Sequence, residues 1–203
     1  MKLMLVRHGE TASNLKMALD SLPPGPPLTD LGQEQANLLA DVLADEPVVA
    51  VYASTAVRAQ QTAAPIAARH GMTAHVVEGV QEIFCGELEG RSDREAFGVF
   101  VKTATAWAEG RLDLMLPGGE SGRQVIDRCL AAIAEATKGV TEGTVVLVSH
   151  GGAIRLTGQA LASNVTAHLA AGGLLPNTGR VVLESDGDGW RCTAWSGVDV
   201  LPD

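Results

Sequence analysis

The sequence predicts an α/β protein of three layers (α/β/α), in which helices cover both faces of a mostly parallel central sheet. Three short, continuous apolar runs, at 3–6, 48–53 and 144–148, have the length and composition of strands buried on both faces. Segments whose apolar residues recur at helical intervals separate these runs. Two further runs near the carboxyl end, at 180–184 and 191–195, predict an antiparallel hairpin at the edge of the sheet.

The composition limits the classes of function. The chain has 203 residues, 46% hydrophobic and 19% charged, which is enough apolar material for one domain with a substantial core. A net charge of −9 argues against a nucleic-acid partner, because such proteins present a basic face. The cysteines, Cys85, Cys129 and Cys192, are too widely spaced for a disulfide framework or a zinc site. The sequence has no signal-peptide pattern and no long apolar stretch, so we expect a cytoplasmic protein without a membrane partner.

The first strand, at 3–6, ends abruptly in Arg7, His8 and Gly9. In open α/β sheets, ligands bind at the carboxyl edge of the strands, so Arg7 and His8 are expected to lie at a binding crevice. Gly9 lets the backbone turn sharply and approach a ligand closely.

A proline-rich cluster at 23–27 follows, and it excludes a helix or a central strand there. Asp30 and Gln33 have the spacing of a capping box, and they open a helix that ends before Pro47.

Arg58 lies in the first turn of the helix after the second strand. We expect Ser54 or Thr55 to cap this helix, which runs to about His70. Because a cation is normally disfavoured at a helix N-terminus, an arginine there indicates that an anion binds at the same place.

A short third strand at 74–77 leads into a loop that carries the carboxylates Glu82, Glu87 and Glu89. The segment that follows, 91–117, contains many apolar side chains and predicts a helical cap that is inserted outside the sheet. We therefore expect a single domain over residues 1–203, with a cap insertion at about 91–118.

Ser121 and Gln124 again have capping-box spacing and begin a helix before the fourth strand. That strand ends in a sequence that repeats the first one: residues 147–151, LVSHG, resemble residues 5–9, LVRHG. If both strands are central and parallel, the imidazole of His150 reaches the same crevice as that of His8. Two matching histidines favour a functional site over a structural role.

The candidate site therefore consists of His8, His150, Arg7, Arg58 and Glu82. Two histidines suggest a metal, but the neighbouring guanidinium groups would repel a cation and instead match an oxyanion. We expect neither a metal nor another cofactor. The motifs of serine hydrolases, dinucleotide-binding proteins and P-loop proteins are missing from the sequence.

Phosphoryl transfer through a histidine fits this set of side chains. A neutral imidazole can attack phosphorus without prior activation by a base. The cationic groups would neutralise the phosphoryl oxygens during transfer. A carboxylic acid on the opposite side would protonate the alkoxide leaving group and then activate water for hydrolysis of the phosphohistidine.

Six groups of short motifs lie one after another along nearly the whole chain. They are Arg7-His8-Gly9-Glu10-Thr11 with Asn14, Pro27-Leu28-Thr29 with Gly32, Gln35 and Ala36, Ser54 and Arg58 with Gln61-Thr62-Ala63, Glu82-Ile83 with Gly86, Glu89 and Gly90, Gly119-Glu120-Ser121, and Ser149-His150-Gly151-Gly152. In this order the motifs resemble the histidine phosphatase superfamily, which includes the cofactor-dependent phosphoglycerate mutases.

The resemblance implies a role for each site residue. His8 would be the phosphorylated nucleophile, and the phosphate pocket would consist of Arg7, Arg58, His150, Asn14 and the Gly151 amide. Glu82 matches the position of the family's proton donor. Glu87 and Glu89 are rival carboxylates, which we interpret as solvated loop acids. The sequence departs from the family's pattern at 17–27 and at Leu88. These departures do not affect the phosphate pocket, but they leave the identity of the substrate open.

Three functions remain open from the sequence: a metal-independent phosphomonoesterase for a small-molecule phosphate, a phosphoglycerate mutase, and a non-catalytic module that binds phosphorylated ligands. The mutases carry a longer insertion with extra basic residues, so the short, apolar segment at 91–117 favours hydrolysis. Phe84, Phe97, Phe100 and Trp107 either line the leaving-group side or pack the cap on the domain. In the first case we expect a preference for an apolar phosphomonoester over a sugar acid. The sequence leaves a homodimer open.

Overall fold

The computed structural model describes residues 1–185, 189–196 and 198–200. Within them the strands are β1 (Lys2–Arg7), β2 (Val48–Ser54), β3 (His75–Val77), β4 (Thr144–Ser149), β5 (Arg180–Ser185), β6 (Trp190–Trp195) and β7 (Val198–Asp199). The helices are α1 (Ala12–Leu15), α2 (Asp30–Val42), α3 (Val57–Arg69), α4 (Arg94–Ala108), α5 (Gly122–Ala136), α6 (Gly151–Leu161) and α7 (Ala167–Ala171), and a 3-10 turn covers Gly86–Leu88.

All seven strands form one sheet in the order β3-β2-β4-β1-β5-β6-β7. The four strands from β3 to β1 are parallel, whereas β5, β6 and β7 are antiparallel to their neighbours. The predicted turn of the hairpin, at 186–189, lies largely outside the described residues. The two-residue strand β7 was not predicted, because so short a segment carries no alternation signal.

Successive side chains of β1 enter different cores, which explains the three layers. Leu3 and Leu5 belong to one apolar cluster, together with side chains of α5 and α6. Met4 and Val6 belong to a second cluster, together with side chains of α2 and α3. Since neighbouring strand residues point to opposite faces, each face of the sheet is covered by a helical layer. This confirms the predicted fold class.

The register between β1 and β4 brings the two matching strand ends side by side. Leu5 pairs with Leu147, and Arg7 pairs with Ser149. The repeat seen in the sequence is therefore a structural alignment, and the residue after each strand, His8 or His150, projects from the same edge of the sheet.

The predicted first residues of two helices are wrong by one or two positions. Thr29, rather than Asp30, is the N-cap of α2, and its side chain accepts a hydrogen bond from the Gly32 amide. Ala56 precedes α3 without any side-chain cap, so neither Ser54 nor Thr55 has that role. The predicted capping box of α5, with Ser121, is confirmed.

The segment predicted to form a helical cap contains α4 and an irregular return to α5. Ala96, Trp107 and Leu116 belong to a third apolar cluster, which also contains Leu88 of the carboxylate loop and Ala153 of α6. This packing places α4 over the carboxyl edge of the sheet. None of the helices in the described ranges combines the length and the apolar character needed to cross a bilayer.

Candidate active site

The candidate residues meet at the carboxyl edge of the sheet, around a cavity of about 320 Å³. Arg7 ends β1, His8 follows it, and Arg58 is the second residue of α3. Glu82 comes from the loop after β3, and Gly151 begins α6. All five line the cavity. His150 lies behind them as the N-cap of α6, fully buried, with its ring centroid 5.2 Å from that of His8.

The hydrogen bonds of His8 select one neutral tautomer. Its Nδ1 lies 2.7 Å from the Gly9 carbonyl oxygen, which can only accept, so Nδ1 carries the proton. Its Nε2 accepts a hydrogen bond of 3.2 Å from Nε of Arg58, which can only donate. The lone pair of the neutral ring is therefore on Nε2, on the side of the ring that faces the guanidinium group.

The surroundings of both histidines favour the neutral imidazole. Burial, together with the nearby Arg58 and Arg7 guanidinium groups, lowers the pKa of His8 to about 3. Burial also holds the pKa of His150 well below its ordinary value, and the proximity of His8 adds to this effect. Uncharged rings at physiological pH are what nucleophilic attack requires.

His150 is oriented by Ser54, the last residue of β2. The Ser54 hydroxyl lies 2.9 Å from His150 Nε2. The other ring nitrogen, Nδ1, is buried and has no hydrogen-bond partner among the described residues. The same serine hydroxyl accepts a long bond of 3.4 Å from the Ala56 amide. Ser54 thus serves the site rather than capping α3, which explains why the predicted cap was wrong.

The two arginines are held by backbone carbonyls and keep unused donors. Arg7 Nη1 donates to the Leu175 carbonyl, and Arg58 Nη2 donates to the Asp20 carbonyl over 3.0 Å. Arg7 Nε and Arg58 Nη1 are buried without a partner in the part of the chain that the structure describes. Burial lowers the pKa of both guanidinium groups. Buried donors without acceptors are costly, and an anion in the cavity would satisfy those that it reaches.

The proline-rich cluster at 23–27 packs on Arg58. Gly25 has a φ of +65°, and a Cβ atom there would overlap Nη1 of Arg58. The Pro24 carbonyl accepts a hydrogen bond of 2.9 Å from the Val57 amide at the start of α3. The cluster is thus an ordered turn that fixes the arginine, and only glycine fits at its contact.

Asn14 is placed by α1 and by a residue that the sequence did not single out. Its Oδ1 accepts hydrogen bonds from the Thr11 amide and from Nδ2 of Asn177, each 3.0 Å long. Asn177 also donates to the His8 carbonyl over 3.0 Å. Since Oδ1 is occupied on both sides, the amide nitrogen of Asn14 is the group that remains for a ligand in the cavity.

Glu82 is bound to the N-terminus of α6. Its Oε1 accepts from the Ala153 and Ile83 amides, each over 2.9 Å, and its Oε2 accepts from the Gly152 amide over 3.1 Å. Two of these amides are free because His150, the N-cap, makes no side-chain bond to them. A Cβ on Gly152 would come within 2.9 Å of Oε1, so this glycine leaves the space that the carboxylate occupies.

No group of three or more histidine, cysteine, aspartate or glutamate side chains within residues 1–185, 189–196 and 198–200 has an arrangement that could hold a metal ion. The remaining histidines lie away from the cavity, with His75 and His168 exposed and His70 half-buried.

The family profile "Histidine phosphatase superfamily (branch 1)" matches residues 3–197. The chain belongs to the histidine phosphatase superfamily. This confirms the resemblance that the ordered motifs indicate.

Individual relatives and structures agree with this membership. A metal-independent phosphoserine phosphatase of Arabidopsis thaliana is 32% identical, over 98% of this chain and 83% of its own length. A mycobacterial glucosyl-3-phosphoglycerate phosphatase, solved in complex with VO3, superposes with a TM-score of 0.82 at 28% identity, covering 97% of this chain and 99% of that one. The protein PE_PGRS11 of Mycobacterium tuberculosis is 30% identical over 97% of this chain, which spans only 36% of that longer protein.

This histidine phosphatase has a clamp on the Glu82 loop that the sequence did not reveal. Arg128 of α5 donates to both carboxylate oxygens of Glu120 over 2.7 and 2.9 Å. It also donates to the carbonyls of Gly79 and Gln81, each over 2.8 Å, and to the Glu82 carbonyl over 3.1 Å. Arg128 itself carried no signal, because backbone acceptors leave no pattern of residue types.

The interpretation of Glu89 as a solvated loop acid is wrong. Its carboxylate is half-buried and accepts hydrogen bonds of 2.7 Å from the Ser21 amide and of 2.5 Å from the Ser21 hydroxyl. It thus ties the carboxylate loop to the segment whose Asp20 carbonyl holds Arg58. Glu87, by contrast, is exposed, as expected.

The four aromatic residues divide between the two interpretations given above. Phe97, Phe100 and Trp107 line the cavity. Trp107 is only 2% exposed and donates to the Leu114 carbonyl over 2.8 Å, so it also packs the cap on the domain. Phe84 is 38% exposed and lies outside the cavity lining.

Proposed function

We propose that the protein is a metal-independent phosphomonoester hydrolase that acts through a phosphohistidine on His8. The observation that carries the proposal is the unprotonated Nε2 of His8, which lies beside Arg58 on a residue that lines the cavity. A nucleophile in its neutral form, surrounded by fixed cationic donors, is the arrangement that phosphoryl transfer needs.

The first half-reaction transfers the phosphoryl group to the enzyme. Nε2 of His8 forms a bond to phosphorus while the bond from phosphorus to the ester oxygen breaks. Arg7, Arg58 and Asn14 line the cavity and donate hydrogen bonds to the phosphoryl oxygens, which carry the developing charge. His150, which lies behind them, donates through Nδ1, the ring nitrogen without a partner among the described residues. The protonated carboxyl group of Glu82 gives its proton to the departing alkoxide, and this leaves Glu82 as a carboxylate.

The second half-reaction regenerates the free enzyme. The Glu82 carboxylate takes a proton from a water molecule, whose oxygen attacks phosphorus as the bond to His8 Nε2 breaks. Inorganic phosphate leaves, His8 is again neutral, and Glu82 is protonated for the next cycle. No step uses a metal, because guanidinium groups occupy the positions that a metal would serve.

The structural neighbour that was solved with VO3 adds support, since VO3 and a phosphoryl group in transfer share three equatorial oxygens. The alternatives are a phosphoglycerate mutase and a non-catalytic phosphate-binding module. Hydrolysis of nitrophenyl phosphate in the presence of excess EDTA supports the phosphatase and contradicts the binding module. Product analysis with 3-phosphoglycerate distinguishes hydrolysis, which releases phosphate, from isomerisation.

Substitutions at two positions test the assigned roles. We expect His8→Ala to abolish turnover. We expect Glu82→Gln to slow the hydrolysis of an alkyl phosphate by roughly 100-fold. The hydrolysis of nitrophenyl phosphate should be slowed far less, because nitrophenolate leaves without a proton. Equal slowing of both substrates by Glu82→Gln would remove Glu82 from the acid role.

The proposal extends to the setting of the reaction. We propose a small-molecule phosphomonoester as substrate, with neither a nucleic acid nor a membrane as partner, and a cytoplasmic location. A single domain over 1–203 with a cap insertion at about 91–118 stays part of this proposal, and a homodimer stays a prediction to be tested by the molecular mass in solution.

A further inference from the structure

We propose that an apolar chamber beside the phosphoryl site binds the leaving group and selects monoesters of uncharged, apolar alcohols. The chamber is the part of the cavity lined by Phe97, Phe100, Ala104, Leu156, Leu174 and Leu175. The inference rests on the proposed function, because the phosphate of such an ester would have to occupy the site of His8 and Arg58.

The cavity is much larger than a phosphate group requires. Its volume is about 320 Å³, and one continuous lining joins the catalytic residues to side chains of α4, α6 and the segment 170–175. A substrate whose phosphate lies against His8 would therefore extend its ester group along α4. Burying apolar atoms of that group against Phe97 and Phe100 is favourable, because it removes apolar surface from water.

Apart from Arg155, the charged side chains of the lining lie at the phosphoryl end. Arg7, His8, Arg58 and Glu82 surround the reacting position, and Asp20 lies next to Arg58. All lining residues contributed by α4 and by 170–175 are uncharged. An anionic group on the leaving group would lose its hydration there without gaining a partner, and that loss is costly.

Arg155 is the one lining cation that needs a separate account. It lies in the second turn of α6, and both Nε and Nη2 donate to the Ala170 carbonyl. Its guanidinium group thereby ties α7 to α6. We infer that Arg155 shapes the chamber rather than binding a second anion of the substrate.

The test uses the full-length protein and a series of straight-chain alkyl phosphates from methyl to hexyl. These alkoxides differ little in basicity, so the chemistry is nearly constant along the series. We expect kcat/KM to rise by about fourfold for each added methylene, the value for transfer of a methylene out of water. A flat series would overturn the proposal.

A second pair of substrates tests the charge preference. Hexyl phosphate and 6-(phosphonooxy)hexanoate differ only in a terminal carboxylate. We expect kcat/KM to be at least about tenfold higher for hexyl phosphate, because the carboxylate would be desolvated without a partner. Equal or faster turnover of the hexanoate would contradict the proposal and assign Arg155 to an anionic group of the substrate.

Two phenylalanines provide a matched pair of variants. Phe100→Ala removes a chamber wall, and we expect it to lower kcat/KM for hexyl phosphate about tenfold while methyl phosphate is little affected. Phe84→Ala removes an exposed ring outside the lining and should leave both values unchanged. Equal effects of the two substitutions would contradict the assignment of the chamber.

Binding without turnover separates this inference from the proposed function. Hexylphosphonate is not an ester and cannot be cleaved, and we expect calorimetry to show that it binds more tightly than methylphosphonate by more than tenfold. If that holds while no phosphohistidine forms, only the proposed function fails. If phosphohistidine forms but both phosphonates bind equally, only the chamber proposal fails.

Discussion

At the scale of single residues, the site depends on two imidazole rings that stay neutral in a cationic environment. The Gly9 carbonyl accepts a hydrogen bond from His8 Nδ1, Arg58 Nε donates to His8 Nε2, and Ser54 contacts His150. These hydrogen bonds hold both rings in the buried site while the rings stay uncharged. The burial that keeps both rings neutral makes their protonation costly, so we expect the stability of the protein to depend on pH.

We expect the free energy of unfolding to fall as the pH drops from about 7 towards 3. The pKa of His8 is lowered from its ordinary 6.5 to about 3, so between these values the unfolded chain binds a proton that the folded chain does not. The contribution of His8 to the free energy of unfolding is therefore fully present above pH 6.5 and is lost as the pH falls towards 3. Between pH 7 and pH 5, the protonation of His8 in the unfolded chain should lower the free energy of unfolding by about 2 kcal/mol.

Denaturant unfolding of the wild type and of His8→Asn at both pH values checks this prediction. The variant lacks the titrating ring, so its loss of stability on acidification should be smaller by about 2 kcal/mol. An identical loss in the two proteins would show that His8 titrates normally in the folded state.

The residues that could be predicted from the sequence were those whose chemistry is tied to the end of a strand or the start of a helix. Arg7, His8 and His150 follow apolar runs, and Arg58 stands where a cation is otherwise unfavourable. Asn177 and Arg128 could not be predicted in the same way. They act by donating to backbone carbonyls or to another side chain far away in the chain, and this leaves no local pattern of residue types.

At the scale of elements, the loop that carries Glu82 is held from both sides. The amides of Gly152 and Ala153 at the start of α6 bind its carboxylate, and Arg128 of α5 binds its backbone. Glu120 completes the clamp, since its carboxylate accepts from the Phe84 amide over 2.8 Å as well as from Arg128. The loop itself is irregular, so its conformation depends on these contacts.

Arg128→Gln is expected to impair catalysis through Glu82 without touching the substrate. We expect kcat/KM to fall by roughly 10- to 100-fold for an alkyl phosphate, whose leaving group needs a proton, but by less than about threefold for nitrophenyl phosphate. A purely structural loss would slow both substrates alike. Arg123→Gln on the same helix is the matched control, because Arg123 is an exposed arginine paired with Asp113, and it should leave both rates unchanged.

Helix and strand positions were predicted better than helix starts. Buried strands are visible as apolar runs, because both of their faces need apolar side chains. The cap of α3 was misplaced because Ser54, a good capping residue by type, contacts His150 instead. The four-residue helix α1 was not predicted, since it is too short to show an apolar period.

At the scale of the whole molecule, the sheet acts as the frame that joins distant parts of the chain. The parallel pairing of β1 with β4 brings residues about 140 positions apart into one site, as the register of Arg7 with Ser149 shows. The interior side chains of these strands therefore determine whether the site forms at all.

Leu147 in β4 is 1% exposed, and Leu38 on α2 is 64% exposed. We expect Leu147→Ala to lower the free energy of unfolding by about 2–5 kcal/mol, because it removes buried methyl groups and leaves a cavity. Leu38→Ala should change it by no more than about 0.5 kcal/mol. Denaturant unfolding measures both. Similar effects of the two substitutions would contradict the assignment of β4 to the centre of the sheet.

We propose that Nε2 of His8 carries the phosphoryl group during turnover. Rapid acid-free quenching of the protein with a slow substrate, followed by phosphorus NMR and peptide mass spectrometry, identifies the phosphorylated atom. We expect an acid-labile phosphate on Nε2 of His8, because Nδ1 carries the proton that it donates to the Gly9 carbonyl and the lone pair is on Nε2. A phosphate on Nδ1, on His150 or on a hydroxyl side chain, or turnover that persists in His8→Ala, would contradict it.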